Sequence, residues 1–261
     1  MSDTLWEQME PLLPAPKLHP LECHRLRVPN RAAMDAILLV LRTGRQWNAL
    51  DGTRICTCLS AYRRFREWVD AGVFAKFRRM VLLEYDELQG IGWSWLAMDG
   101  ALTKAPLGGK KTGPNPCDRV KGGVKRSMLT EAAGAPLAVE IAPANRHDME
   151  LVAATLAGMM CGRPGDGRKS KLCLDLGYDY DEVRRIVDMA GFEPIILGRR
   201  DERENKKQHG ARARRWVVER THSWLNRFRR LLMRWEKRED TYLGMLQFAC
   251  GLIVWRSSLS K

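Results

Sequence analysis

The stretch Ser127-Met128-Leu129-Thr130-Glu131-Ala132-Ala133-Gly134-Ala135-Pro136-Leu137-Ala138-Val139-Glu140-Ile141 decides the fold class. Two short apolar runs, Ser127 to Thr130 and Pro136 to Ile141, flank a turn at Ala133-Gly134, and this order predicts a β-hairpin. Upstream, Trp93 to Leu102 is another short apolar run rich in strand formers, followed by a basic Gly/Pro loop, Leu107-Gly108-Gly109-Lys110-Lys111-Thr112-Gly113-Pro114. Downstream, helix and strand alternate. Asp148 can cap a helix from Met149 to Gly158, Leu172 to Leu176 reads as a strand, Tyr180 to Ala190 as a helix and Pro194 to Leu197 as a strand. A long helix is predicted from about Ala211 to Lys237. Antiparallel strands followed by alternating helices and strands describe an α/β fold, a mixed sheet with helices packed on it.

Residues 3 to about 90 read as helical. Asn30 can cap a helix whose apolar positions Met34, Ile37, Leu38 and Leu41 recur at three and four, with Gly44 just past its end. Thr53 can cap the next, which carries Ile55, Leu59, Tyr62, Phe65 and Trp68 on one side and Arg54, Arg63, Arg64 and Arg66 largely elsewhere, with Gly72 as its stop. A third helix runs from Val73 to Leu88. Helix, short turn, basic helix is the order of a helix-turn-helix, whose second member enters the DNA major groove. A helical bundle with a solvated arginine face fits the same pattern equally well. The change of texture near Gly92 places a boundary between a helical domain, 1–91, and an α/β domain, 92–261.

The chain has 261 residues and a formal net charge of +13, which makes a polyanion the first partner to consider. Its apolar stretches, such as Ala36 to Leu41 and Leu252 to Trp255, fall far short of the ~20 residues a membrane-spanning helix needs. The acidic start, Met1-Ser2-Asp3-Thr4-Leu5-Trp6-Glu7, does not resemble a secretory signal, so a cytoplasmic protein is expected. Seven scattered cysteines argue against a disulfide framework, and Cys56-Thr57-Cys58 has too short a spacing for a zinc knuckle.

Three carboxylates stand out. Asp99 ends the run Trp95-Leu96-Ala97-Met98, Asp175 ends Leu172-Cys173-Leu174, and Glu219 lies in the long helix among cations. At about 100° per residue, Val217, Trp224, Phe228, Leu231 and Trp235 form one stripe of that helix. Arg212, Arg215, His222, Ser223 and Asn226 surround Glu219 on the other side. Two strand-end acids and one helix acid can converge on a pair of Mg²⁺ ions for in-line attack at phosphorus, although turn-forming and salt-bridging acids share this spacing. The same helix bears Arg212, Arg214, Arg215, Arg220, Arg227, Arg229, Arg230, Arg234, Lys237 and Arg238 against Glu219 and Glu236. Like charges at i,i+4 destabilise a helix, so a phosphate backbone along this face explains the excess better than solvation does. The segment from Gly162 to Ser170 approximates a P-loop but lacks the lysine after its second motif glycine, and His147 has no nucleophile in a recognisable motif.

Taken in order, Met98-Asp99-Gly100, the block Asp118 to Arg126, Gly134-Ala135-Pro136-Leu137, Ala144-Asn145-Arg146-His147-Asp148, Asp175-Leu176-Gly177-Tyr178-Asp179 and Val218-Glu219-Arg220-Thr221 leading to Leu231 form a recognisable series. With them the sequence resembles the DDE transposases of small bacterial insertion sequences, in their insertion-sequence-five branch, over nearly the whole chain. Leu41-Arg42-Thr43-Gly44-Arg45-Gln46-Trp47 and Arg63 to Trp68 are similar to that branch's DNA-binding region.

The resemblance implies an RNase H-like catalytic domain preceded by a helix-turn-helix-like one, with Asp99, Asp175 and Glu219 as catalytic residues and ligands of two Mg²⁺ ions, or Mn²⁺ in their place. It implies double-stranded DNA as partner, both the terminal inverted repeats and the target, and a homodimer holding the two ends. Arg215 matches the arginine of the Tyr-Arg-Glu-Lys signature, while Arg212 and Asn226 stand at its tyrosine and lysine positions. Arg220 and Arg227 are then candidates for the phosphate or flipped base near the element's end. With the basic helix and loop, the expected DNA contacts are Arg54, Arg63, Arg64, Arg66, Lys110, Lys111, Arg119, Lys121, Lys125, Arg126, Arg212, Arg215, Arg220, Arg227 and Arg230. The alternatives are a repurposed DNA-binding protein without catalysis and a metal-dependent nuclease of the same fold.

Overall fold

The computed structural model describes residues 1–15, 27–163, 169–198 and 214–259. Its first four helices are α1 (Asp3–Met9), α2 (Asn30–Thr43), α3 (Cys58–Asp70) and α4 (Val73–Gln89). Asn30 is the first helical residue of α2 and follows an extended Pro29, so it does not cap the helix; Gly44, at φ 71°, ends it as expected. Thr53 does not cap α3 either. Its hydroxyl donates to the Leu50 carbonyl (2.6 Å) and closes a 3-10 turn over Trp47–Thr53, while Thr57 accepts the Ser60 N–H at the true start of α3.

The strands are β1 (Trp95–Lys104), β2 (Gly113–Pro114), β3 (Gly122–Glu131), β4 (Pro136–Pro143), β5 (Ser170–Leu174) and β6 (Phe192–Ile196). Helices α5 (Val152–Ala157) and α6 (Asp181–Met189) alternate with the last two. The expected hairpin is β3 and β4, paired antiparallel from Val124↔Pro143 to Thr130↔Pro136, and β3 pairs antiparallel with β1 on its other edge. On the far side of β1, strands β5 and β6 run parallel to it. The order β4-β3-β1-β5-β6, three antiparallel strands followed by two parallel ones, is the RNase H-like arrangement, with β2 adding to the outer edge of β3. Asp148 opens a short 3-10 turn ahead of α5 and does not cap a continuous helix; His147 holds the cap position, its backbone N–H donating to the Glu150 carboxylate (3.3 Å).

The long helix expected up to Lys237 is interrupted. Helix α7 spans Trp216–Asn226, a 3-10 turn follows at Arg229–Leu231, and Met233 bridges Lys104 at the end of β1. The break follows from where two arginines find partners. Arg230 donates from Nε to Glu236 (2.8 Å), and the fully buried Arg234 donates to the carbonyls of Glu236 (2.8 Å) and Lys110 (2.6 Å). These buried charge-assisted bonds, and the Arg234 N–H on the Lys104 carbonyl, replace the helical ladder.

The last helix, α8 (Glu239–Leu259), is buried on nearly all sides, packing against α4 and β4. Gly251 leaves no room for a Cβ, which would lie 2.7 Å from the Phe77 ring. Arg78 of α4 is fully buried and donates to Gln247 of α8 (2.8 Å) and to the Leu137 carbonyl of β4 (2.6 Å). The hydrophobic core is therefore continuous across the connection between α4 and β1, where residues 91 and 92 lie. Among the described residues no disulfide forms, and no helix is long and apolar enough to cross a membrane.

Candidate active site

Parallel pairing of β1 with β5 runs from Trp95↔Lys171 to Ala97↔Cys173. Two residues further on each strand stand Asp99 and Asp175, at equivalent positions where β5 has just ended. Asp99 is not at the end of its own strand, because β1 continues to Lys104 on its pairing with β3. It is instead the first acid beyond the parallel part of the sheet, the place where ligands gather in such sheets.

Burial, then the charges of Asp175 and Asp148, push the Asp99 carboxyl up to about 6, against the opposing pull of the Gly100 N–H and Arg215. Asp175 stays more exposed, accepting the Gly177 N–H (2.7 Å) and facing Arg215 at 3.3 Å. Arg215 also stands 3.8 Å from Glu219, one turn along α7. One guanidinium thus joins the second and third acids, and Glu219 is itself largely exposed.

Helix α7 is seated by Val217, which the expected stripe included, and by four residues that it did not. Its buried side is Val217, Val218, Thr221, His222 and Leu225, so His222 belongs to the interior and not to the face of Glu219. Burial drives the His222 imidazole down to about 3, and its Nε2–H points at the Asp99 carbonyl (3.4 Å), a group that can only accept. Thr221 donates to the Gly134 carbonyl (2.8 Å) and Arg126 to Asn226 (3.2 Å). Arg220 donates to the Ala133 carbonyl and stacks between Trp216 and Trp224. The helix carrying Glu219 is therefore tied to the strand carrying Asp99 and to the β3–β4 turn.

Residues 94–252 match the family described as the transposase DDE domain, and residues 1–78 match the putative transposases of the IS4/5 family. The chain belongs to the DDE transposases. A putative transposase for insertion sequence element IS402 from Burkholderia cepacia is 39% identical over 155 residues, covering 58% of this chain and 71% of that protein. An uncharacterized 16.2 kDa protein of the same element and organism is 36% identical over 118 residues, covering 44% and 80%. Among solved structures, the catalytic domain of Mos1 mariner transposase aligns at 8% identity and a TM-score of 0.31, covering 71% of this chain and 93% of that one.

DDE transposases cleave and join DNA with divalent metal ions. The donor set of this transposase fits such ions in kind: Asp99 and Asp175 are hard oxygen donors held side by side, and their mutual repulsion is what a cation would relieve. As the side chains stand, however, no three His, Cys, Asp or Glu side chains among the described residues are grouped closely enough to hold a metal. Arg215 lies between Asp175 and Glu219 instead.

Two residues of this site were missed as site residues in the sequence. Asp148, read only as a helix cap, sits against Gly100, where an added Cβ would meet its Oδ1 at 2.0 Å. It pairs with Lys125 (2.7 Å), and its other oxygen is buried without a partner. Tyr178 is buried with its hydroxyl unpartnered, and its pKa is raised well above the ordinary value by burial and then by Asp148, Asp99 and Asp175. Both lie in the quoted motifs, but they meet only in the fold, where the 3-10 turns Asp148–Leu151 and Leu176–Tyr178 pack against each other.

The expected DNA contacts divide by burial. Arg54, Arg63, Arg66, Lys110, Lys111, Arg119, Lys121 and Arg227 are exposed, and Lys110 and Lys111 flank Glu239 at 2.7 and 3.7 Å. Arg64, Lys125, Arg126 and Arg230 are buried, which corrects their reading as surface cations. Arg64 donates to the Val28 carbonyl (3.3 Å) and faces Glu67 (3.7 Å); Arg230 is paired with Glu236. Arg215 and Arg220 are partly buried in the contacts already given, and Arg212 lies outside the described residues.

Proposed function

We propose that the transposase binds the terminal inverted repeats of its element as duplex DNA, hydrolyses the strand at each end to expose a 3′-hydroxyl, and joins that hydroxyl to target DNA. The observation that carries this reading is the equivalent placement of Asp99 and Asp175 beyond the paired parallel strands, with α7 docked so that Glu219 flanks Asp175 through Arg215. Asp99, Asp175 and Glu219 would hold two Mg²⁺ or Mn²⁺ ions. Bound there, the ions would lower the pKa of the attacking water or hydroxyl and neutralise the leaving oxygen. His222 holds the α7 backbone against β1, and Arg215, paired with the Asp175 carboxylate, orients it. The exposed Arg54, Arg63 and Arg66 on and before α3 supply a surface for end binding by a helical domain, 1–91, while 92–261 performs the chemistry. Two ends held together call for a homodimer.

A labelled duplex carrying the flanking inverted repeat, incubated with Mg²⁺ and a separate plasmid, should yield labelled DNA joined to the plasmid, and none after chelation. Cut ends without joined product would favour a nuclease, and binding without cutting a repurposed DNA-binding protein.

A further inference from the structure

Away from the acids, a cavity of about 490 Å³ opens between the ends of α2, α7 and α8, lined by Arg42, Arg227 and Arg256 over Trp224, Phe228 and Ile253. The three arginines come from parts of the chain far apart in sequence. Each sits at the C-terminal end of a helix, where a cation offsets the helix dipole by roughly 0.3–1 kcal/mol. That effect accounts for one arginine per helix end but not for three around one cavity. Arg42 is pushed below its ordinary pKa by burial and by the charge of Arg256, so the convergence has a cost.

The walls are fixed independently of any ligand. Gly44, at φ 71°, lets the end of α2 lie against the Arg229 backbone, where a Cβ would stand 3.1 Å away, and Arg230 donates to the Arg45 carbonyl (3.4 Å). On α7, Arg227 is eight residues beyond Glu219, roughly 12 Å along the axis at 1.5 Å per residue. The cavity is therefore clear of the reacting groups but within a few nucleotides of them.

We propose that this cavity is a binding site for a phosphodiester of the DNA strand, seated on Arg42, Arg227 and Arg256 above the Trp224 and Phe228 rings. The inference rests on the reading of DNA as substrate and adds a contact formed jointly by the amino-terminal helices, α7 and the last helix. Arginine forks match phosphate oxygens, and the apolar floor lowers the local dielectric that strengthens the contact.

The test is the binding of a labelled duplex across a salt series by wild type, Arg42→Gln, and the triple variant Arg42→Gln, Arg227→Gln, Arg256→Gln. Each phosphate contact contributes about 0.9 to the slope of log affinity on log salt. The triple variant should lose about one unit of slope and on the order of tenfold in affinity at moderate salt, while Arg42→Gln without DNA melts at the wild-type temperature or above. Arg42→Glu gives the same reading should the triple variant not fold. Unchanged slope and affinity, with Arg63→Gln still weakening binding, would overturn the site alone; no binding by wild type would overturn the reading of DNA as well. Stabilisation of wild type by pyrophosphate, lost in the variants without any change in DNA affinity, would make the cavity a small-anion site and overturn the DNA assignment.

Discussion

Asp99→Asn is expected to reduce DNA cleavage by ~10³-fold or more while leaving DNA affinity within a few-fold of wild type. Asparagine keeps the size of the side chain and can still accept the Gly100 N–H at its carbonyl oxygen, so β1 and its neighbours have no reason to move. What it removes is a charge, at the most buried of the three candidate ligands, whose ionisation Asp175 and Asp148 already oppose. A cation bound among these groups would lose one of its three charged ligands. Single-turnover cleavage alongside binding to the same duplex separates the two effects. Retained cleavage would remove Asp99 from the centre, and lost binding in a folded variant would assign it to DNA recognition.

The second large effect is on stability. Arg230 and Glu236 form an ion pair whose side chains are 7% and 4% exposed, at 2.8 Å. Removing one partner of a buried pair leaves the other charge uncompensated, at a cost of about 3–5 kcal/mol. Glu236→Ala should therefore lower the unfolding free energy in urea by that amount, and Arg230→Met added to it should restore most of the loss. An effect below about 1 kcal/mol would show that water reaches the pair. Because the two residues hold the chain after α7 in its turn, the same variant should also loosen the seat of the Arg42 end of α2.

Much of this was legible because the chemistry is encoded locally. The hairpin turn at Gly134, the strand before Asp99 and the strand before Asp175 each announce themselves over five to ten residues, and together they specify the sheet. The arginines were less readable. Arg230 and Arg234 carry the same helical spacing as a DNA-facing row, but their acceptors include the Lys110 carbonyl, more than a hundred residues earlier. Arg64 and Arg126 likewise look like surface cations until the carbonyl of Val28 and the side chain of Asn226 are placed beside them. Helix α8 gave little periodic signal because it is apolar on nearly all sides. Asp148 stayed a helix cap because its position beside Gly100 depends on strand register, which no local pattern reveals.

The most direct test of the central claim is joining of a labelled inverted-repeat duplex to a target plasmid in Mg²⁺, with wild type and Asp175→Asn compared at equal DNA occupancy. Joined product from wild type and none from Asp175→Asn is the expected result. Equal yields from the two proteins would contradict the account, because the acid at the end of β5 would then take no part in the chemistry.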